Sequence, residues 1–330
     1  MGASKIFIAG LMQLSIVIVN YKVPYLLLQC LDAVHKAMQQ MDAEVYVVDN
    51  HSEDGSQTLV EKHFPGVKYI ANSVNVGFAK ANNQAIAQAK GKYVLLLNPD
   101  TIIAEDTLQN VCHFAQHAPA FGALGVRMID RNGKFLPESK RNVPTLYSSF
   151  CKLTRWPITP RKEYYCTALS EHQAGEVPVL SGAFMLLHKE ALGDVALLDE
   201  RYFMYGEDID LSYAITRAGF KNYYFPCTIL HYKGESTHYD ATYRRNFYGA
   251  MQLFYQKYYG KGLVNSLIKL VTRLLVKMGG KKKQPDATAS QEVVTLSTQQ
   301  LSYAEIIAFF EHNQGEKQVK IEHSTLQITV

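Results

Sequence analysis

The chain has 330 residues, of which 47% are hydrophobic and 19% are charged. That length and balance suit one large globular domain, alone or with an appendage, and they exclude a wholly disordered chain. The net charge of +4 by itself argues neither for nor against nucleic acid, and we predict no nucleic-acid partner.

Short apolar runs alternate with amphipathic segments in the first part of the chain. The apolar runs predict strands at 14–19, 44–48, 67–70, 93–97 and 123–129. The amphipathic segments predict helices, one opening at Pro24 and others at 56–63, 77–89 and 106–117. Because strands alternate with helices, we predict an α/β fold with a mostly parallel central sheet flanked by helices.

Polar residues follow directly where three of these predicted strands end. They are Asn20-Tyr21, Asp49-Asn50 and Asn98-Pro99-Asp100. Ligands of such sheets bind outside the carboxyl ends of the strands, so these residues predict a binding crevice. A carboxylate such as Asp100 can bind Mg²⁺ or Mn²⁺ there together with substrate phosphates. The alternatives are an ordinary Asn-Pro-Asp turn and capping of the next helix by Asp49-Asn50.

The second half of the chain is less regular. Residues 131–178 contain five prolines and few clear periods, so we predict loops and a variable, substrate-facing segment. Further on, the pattern predicts a strand at 179–188, a helix at 207–218 and a strand at 221–225 that Pro226 ends. A helix rich in Tyr and Phe is predicted at 241–259.

Three carboxylates and one histidine in this half could carry chemistry. Glu207, Asp208 and Asp210 open the helix predicted at 207–218, after a run of aromatic residues. Acidic residues are favoured at a helix N-terminus for electrostatic reasons alone, but one of these could also serve as a general base. His231 is either structural or a neutral imidazole that completes a divalent-metal site.

The basic residues of the chain are concentrated in one segment. Residues 261–283 contain seven Lys and Arg and no acidic residue, against a net charge of +4 for the whole chain. Its apolar residues recur at helical spacing, which predicts a basic amphipathic helix. The helix either contacts the inner leaflet of a membrane or packs on a domain with solvated lysines. We therefore predict a domain at 1–260, this helix, and a linker with a small α/β appendage at 284–330.

The cysteine pattern and the hydropathy predict a cytoplasmic protein. The five cysteines are odd in number and form no CxxC pair, which indicates neither a disulfide framework nor a zinc site. The apolar stretch at 6–18 is interrupted by Gln13 and Ser15, so we predict neither a signal peptide nor a spanning helix. The expected location is the cytoplasm or, peripherally, the cytoplasmic face of the membrane.

Several short motifs occur together in a characteristic order. They are SIVIVNY at 15–21, VDNHSEDGS at 48–56, NVGFA at 75–79 with NN at 82–83, LNPD at 97–100, SGAFM at 181–185, DERYFMYGEDIDL at 199–211, and His231. Over about residues 13–260 the chain resembles the inverting glycosyltransferases of family 2, which have the GT-A fold. The LNPD and FMYGEDIDL segments are most similar to rhamnosyltransferase-type members.

The resemblance implies a role for each matching position. The nucleotide would lie against Val19, Tyr21, Asp49, Asn75, Gly77, Phe78 and Asn98. Asn98 replaces the first carboxylate of the family's Asp-x-Asp, so Asp100 and His231 would be the ligands of Mn²⁺ or Mg²⁺. Asp208 matches the general base, and Gly182, Ala183 and Glu207 would lie beside the acceptor.

The resemblance also implies a reaction, in which a sugar moves with inversion from a nucleotide-sugar donor to a glycan or lipid-linked glycan. The expected donor is dTDP-rhamnose, UDP-sugars remain open, and a homo-oligomer is a further expectation. The alternatives are a nucleotidyltransferase and a catalytically inactive scaffold at a membrane surface. The sequence contains no GxGxxG after a strand and no GxxxxGK[ST], which disfavours dehydrogenases and P-loop NTPases.

Overall fold

A computed structural model describes residues 13–144, 164–233, 241–260, 262, 292–323 and 326–330. The first half of the chain alternates between strands and helices as predicted. Its elements are β1 (Leu14–Asn20), α1 (Pro24–Ala37), β2 (Ala43–Asp49), α2 (Ser56–His63), β3 (Lys68–Ala71), α3 (Phe78–Ile86), β4 (Tyr93–Leu97), β5 (Thr101–Ile102), α4 (Thr107–His117) and β6 (Phe121–Ile129).

The second half adds short strands, the long strand β11 and four further helices. Its elements are β7 (Lys140–Arg141), β8 (Gly175–Glu176), β9 (Val179–Leu180), β10 (Phe184–Leu187), α5 (Lys189–Leu192), α6 (Glu207–Arg217), β11 (Lys221–His231), α7 (Ala241–Tyr259), β12 (Val293–Ser297), α8 (Tyr303–Asn313), β13 (Gln318–His323) and β14 (Ile328–Thr329).

The central sheet has nine strands in the order β3-β2-β1-β4-β10-β6-β11-β5, with β8 paired to β11. The first four strands of that order run parallel, as do β6 and β11, while β10 lies antiparallel between β4 and β6. The predicted α/β fold with a mostly parallel central sheet flanked by helices is therefore confirmed.

The central strands are apolar on both faces because helices cover both faces. In β1, Ile16 and Ile18 belong to one buried cluster, together with residues of α1 and α4. Val17 and Val19 alternate with them and belong to a second cluster, on the side of α3 and α6. A strand buried on both faces reads as a continuous apolar run, as this one does.

Two predicted strands were wrong in extent. The strand predicted at 179–188 is two strands, β9 and β10, separated by a turn at Ser181, Gly182 and Ala183. The strand predicted to end at Pro226 continues to His231 as β11. Its pairing with β6 shifts register between Phe225 and Thr228, and this irregularity accommodates a proline that cannot donate to the ladder. The continuation carries His231 to the carboxyl edge of the sheet.

The C-terminal residues form a three-stranded sheet, β12-β13-β14, with α8. Tyr303 and Phe310 of α8 share a buried cluster with Leu27 and Leu31 of α1. Polar contacts accompany the apolar ones: Tyr303 donates from its hydroxyl to Asp32 at 2.5 Å. These elements therefore pack directly against the larger sheet layer.

The basic helix predicted at 261–283 lies, apart from Gly262, outside the described residues. Within the described ranges, no helix combines the length and the apolar character that a membrane span requires.

Candidate active site

The ends of β1 and β2 are joined by a buried hydrogen-bond network. Asn20 donates from Nδ2 to Oδ1 of Asp49 at 2.8 Å, and the backbone N–H of Ser52 donates to Oδ2 of Asp49 at 2.9 Å. Both carboxylate oxygens therefore hold the loop after β2. Val19, which is 7% exposed, and the half-buried Tyr21 flank Asn20 at the same edge.

Asn50, which the predicted site set omitted, links this edge to the loop before α3. Its Nδ2 donates to the carbonyl of Gly77 at 3.2 Å, and its Oδ1 accepts from the backbone N–H of Val76 at 3.4 Å. Asn75 closes the same loop, because its Oδ1 accepts from the N–H of Gly77 at 3.0 Å. The predicted nucleotide-side residues of β2 and of the loop before α3 are thus brought together.

Gly77 allows this loop to contact the segment that leads to the predicted base. It has φ +88°, and a Cβ on it would lie 2.6 Å from the carbonyl oxygen of Phe203. The next residue, Phe78, donates its backbone N–H to that same oxygen at 2.7 Å. The nucleotide-side loop and the Phe203 segment are therefore one packed unit.

We expect Gly77→Ala to lower the free energy of unfolding by more than the about 1–3 kcal/mol that an unfavourable φ alone costs. Gly219→Ala is the matched control, because Gly219 has φ +90° but nothing within 4 Å of its Cβ position. Urea unfolding of the two variants measures the difference. Equal losses would show that the contact with Phe203 contributes nothing.

Asp100 and His231 meet at the carboxyl edge of the sheet. Thr101, which begins β5, pairs with His231 at the end of β11. Oδ1 of Asp100 lies 3.3 Å from Nε2 of His231, and both side chains are buried. In the described part of the chain, Nδ1 of His231 has no hydrogen-bond partner.

This pair fits a divalent cation that shares its ligands with a substrate. Among the described residues, no group of three or more His, Cys, Asp or Glu side chains is placed to hold a metal. Mg²⁺ and similar hard ions are commonly held by one or two protein ligands, with phosphate oxygens and water completing the shell. Asp100 supplies a carboxylate and His231 an imidazole whose Nε2 faces it, so the chemistry of the pair suits such an ion.

Asp208 lies in the first turn of α6, against the turn that separates β9 from β10. Its Oδ2 accepts from the backbone N–H of Gly182 at 3.1 Å. The neighbouring Ala183 accepts from the backbone N–H of Asn98 at 2.9 Å. The turn therefore connects the predicted base with the strand end that bears Asp100.

Arg141 is a residue of this site that the sequence did not indicate. It is buried, and its Nη2 donates to Oδ2 of Asp208 at 2.6 Å and to the carbonyl of Leu180 at 2.5 Å. Because β7 pairs with β9, Arg141 lies opposite Val179, on the strand that leads into the turn at Gly182. A buried Arg–carboxylate contact of this kind orients the carboxylate and keeps one of its oxygens occupied.

Glu207 adjoins Asp208 but has a different environment. It is buried, and in the described part of the chain its Oε2 has no hydrogen-bond partner. Burial and the neighbouring charge of Asp208 raise the pKa of Glu207 to about 8. Both causes favour the protonated form of Glu207.

This shift predicts a pH dependence of stability. The pKa of Glu207 is raised from its ordinary 4.5 to about 8, so its stabilising contribution is complete below pH 4.5 and disappears as pH rises through 8. The melting temperature of Glu207→Gln minus that of the wild type should therefore increase between pH 5 and pH 9 (roughly the window that linkage sets). A difference that stays constant across that window would contradict the assignment.

Comparisons with known proteins identify the family of the chain. The family profile described as Glycosyl transferase family 2 matches residues 15–196. An N-acetylglucosaminyl-diphospho-decaprenol L-rhamnosyltransferase of Mycobacterium tuberculosis is 32% identical over 208 residues, 58% of this chain and 67% of that protein. Rhamnosyltransferase WbbL of Escherichia coli is 29% identical over 221 residues, 61% of this chain and 79% of that protein.

Solved structures show the same fold at low identity. A mannosyltransferase of Pyrobaculum calidifontis, solved with GDP-Man and Mn²⁺, superimposes with a TM-score of 0.53 at 18% identity, covering 82% of this chain and 71% of that one. GalNAc-T7, solved with UDP, GalNAc and Mn²⁺, gives 0.51 at 16% identity, covering 80% and 55%.

The fold and the site together define a glycosyltransferase of the GT-A class. The chain belongs to glycosyltransferase family 2, and within it the chain is rhamnosyltransferase-like. The family assignment replaces the nucleotidyltransferase alternative.

Proposed function

We propose that this glycosyltransferase transfers rhamnose from dTDP-rhamnose to a lipid-linked glycan, with inversion, in cell-surface polysaccharide synthesis. The similarity to rhamnosyltransferases, one of them named for a diphospho-decaprenol acceptor, supports the sugar and the acceptor. The observation that carries the proposal is the turn at Gly182 and Ala183. The N–H of Gly182 donates to Asp208, and the carbonyl of Ala183 accepts from the N–H of Asn98, in the same turn as Asp100.

The donor half of the proposal uses the edge formed by β1, β2 and the loop before α3. Val19 and Tyr21 would contact the base, while Asp49 acts by holding the loop beneath the nucleoside. Asn75, Gly77, Phe78 and Asn98 would line the ribose and diphosphate. Asp100 and His231 would hold Mn²⁺ or Mg²⁺, which when bound neutralises charge on the diphosphate.

The acceptor half uses Asp208. Its carboxylate takes the proton of the acceptor hydroxyl while that oxygen forms a bond to the anomeric carbon of the donor. The bond from the same carbon to the diphosphate oxygen breaks on the opposite face, and the nucleoside diphosphate leaves with the electron pair. One displacement therefore inverts the anomeric configuration. Arg141 and the N–H of Gly182 orient the carboxylate throughout.

We further propose that the enzyme works at the cytoplasmic face of a membrane. The segment 261–283 carries seven basic residues, and each contributes about 1 kcal/mol near an anionic surface. Deleting 261–283 should release the protein from sedimented membranes at low salt. Retention of the deleted form would count against membrane contact through this segment.

A thermal-shift panel tests the donor. Binding to the folded state alone raises stability by about 2.7 kcal/mol at a ligand concentration 100 times Kd. With Mn²⁺ present, dTDP-rhamnose should raise the melting temperature more than UDP-GlcNAc or GDP-mannose at equal concentration. A larger rise with either of those sugars would overturn the assignment of the donor.

A further inference from the structure

A cavity of about 300 Å³ lies between residues 201–204 and α7. Two arginines, Arg201 and Arg245, line it, together with the amide side chains Asn246, Gln252 and Gln256. Among the described residues that line the cavity there is no carboxylate. Its wall therefore presents cationic and amide donors, the groups that bind anions in proteins.

Of the two cavity arginines, Arg201 is paired with a carboxylate and, in the described part of the chain, Arg245 is not. Arg245 is exposed and takes part in no ion pair among the described residues. Arg201 forms a bidentate ion pair with Asp199, in which Nε donates to Oδ1 at 2.8 Å and Nη2 donates to Oδ2 at 2.5 Å. Asp199 is in turn bound by Lys257 at 2.9 Å. Arg201 is thus fixed in place while Nη1 of its guanidinium remains available.

The cavity is fixed in position relative to α6. Lys257 of α7 binds Asp210 of α6 at 2.7 Å, and Tyr202 donates to the same carboxylate at 3.2 Å. A Cβ placed on Gly206 would lie 3.0 Å from the side chain of Ala250, so α7 touches the chain two residues before Asp208.

The other wall of the cavity contacts the loop before α3, which lies on the predicted nucleotide side. Phe203 lines the cavity, and its carbonyl oxygen accepts from the backbone N–H of Phe78 at 2.7 Å. The cavity therefore lies beside both the donor loop and the beginning of the helix that carries the base.

We propose that this cavity binds the diphosphate of a lipid-linked sugar acceptor, with Arg245 and Arg201 as its ligands. Guanidinium groups bind phosphate oxygens in bidentate pairs, which gives geometric selectivity that a lysine lacks. The lipid would then continue along α7, which the sequence joins to the basic segment 261–283. This inference rests on the proposed function, because it assigns a subsite to the acceptor of that reaction.

The test compares two acceptors with and without a diphosphate. One is N-acetylglucosaminyl-diphosphate on a short isoprenyl chain, and the other is an alkyl N-acetylglucosaminide. Arg245→Ala should raise KM for the diphosphate acceptor about 10–100-fold, the loss of one charged hydrogen-bonding group. The rise for the neutral acceptor should be at least about ten times smaller, and KM for the donor should not change.

Two further variants sharpen the result. Arg245→Lys should show an intermediate KM, since it keeps the charge and loses the fork geometry. Lys62→Ala removes an exposed charge from α2 and should leave both KM values unchanged. Equal effects of Arg245→Ala on the two acceptors, or a raised KM for the donor, would overturn the assignment.

A binding measurement separates this inference from the proposed function. Calorimetry with a short isoprenyl diphosphate needs no transfer, and Arg245→Ala should weaken its binding about 10-fold or more relative to wild type. Absence of transfer to both acceptors with intact diphosphate binding would refute the reaction and keep the subsite. Transfer to the diphosphate acceptor with unchanged diphosphate affinity in Arg245→Ala would refute the subsite and keep the reaction.

Discussion

Asp208→Asn should lower kcat for sugar transfer by about 10²–10⁴-fold, the usual contribution of a positioned general base. Asparagine preserves the shape of the side chain but cannot take the proton of the acceptor hydroxyl. Nucleotide-sugar binding should persist, because Asp208 contacts Arg141 and Gly182 rather than the donor edge. Initial transfer rates and the donor-induced rise in melting temperature measure the two effects separately.

Glu207→Gln, at the neighbouring position, is the control variant for Asp208→Asn. Because burial and the charge of Asp208 raise the pKa of Glu207, the protonated form of its carboxyl group is favoured at pH 7. Glutamine should therefore reduce transfer at that pH much less than Asp208→Asn does. If Glu207→Gln abolished transfer while Asp208→Asn retained it, Glu207 would be the base.

Asp100→Ala should lower transfer by about 10²–10³-fold, corresponding to the several kcal/mol that a bound metal contributes. The variant removes the carboxylate that lies 3.3 Å from Nε2 of His231. The rise in melting temperature that Mn²⁺ produces in the wild type should disappear as well, so the effect is visible without turnover.

Two controls accompany this prediction. His231→Gln should weaken the Mn²⁺ response in the same direction, since its ring is the other protein ligand of the proposed site. Asp194→Ala removes an exposed carboxylate elsewhere and should leave the response intact. Metal-dependent transfer that survives in Asp100→Ala would remove Asp100 from the site.

The carboxyl edge of the sheet could be predicted from sequence because its signals are local. Asp49 and Asp100 each follow a short apolar strand directly, and buried parallel strands are continuous apolar runs. The mostly parallel character of the sheet followed from the alternation with helices. Local signals narrowed the base to the three carboxylates Glu207, Asp208 and Asp210 at a predicted helix start, and only the resemblance to the family singled out Asp208.

The contacts that complete the site were not predictable from local patterns, because they join residues far apart in sequence; only the resemblance to the family put His231 together with Asp100. Arg141 reaches Asp208 only because β7 pairs with β9, and both strands have two residues. His231 reaches Asp100 only because β11 continues past Pro226 through a register shift. A proline normally ends a strand, so the sequence predicted that the strand ends at Pro226, whereas β11 continues to His231.

The packing of the C-terminal elements against the larger domain could not be predicted from the sequence either. For these residues the sequence predicted only a small α/β appendage after a linker, and the structure has α8 at Tyr303–Asn313. Their contact with the larger domain uses buried polar groups, including Gln29 against His323 at 2.9 Å. Polar residues at an interface carry no hydrophobic period, so nothing in the sequence marks them.

A competition assay tests the central claim most directly. The full chain is incubated with Mn²⁺, an N-acetylglucosaminyl-diphospho-lipid, and equal amounts of dTDP-rhamnose, UDP-GlcNAc and GDP-mannose. We predict one product, which carries a single deoxyhexose of inverted anomeric configuration by mass spectrometry and NMR and is absent with Asp208→Asn. Addition of another sugar, or retention of configuration, would contradict the account.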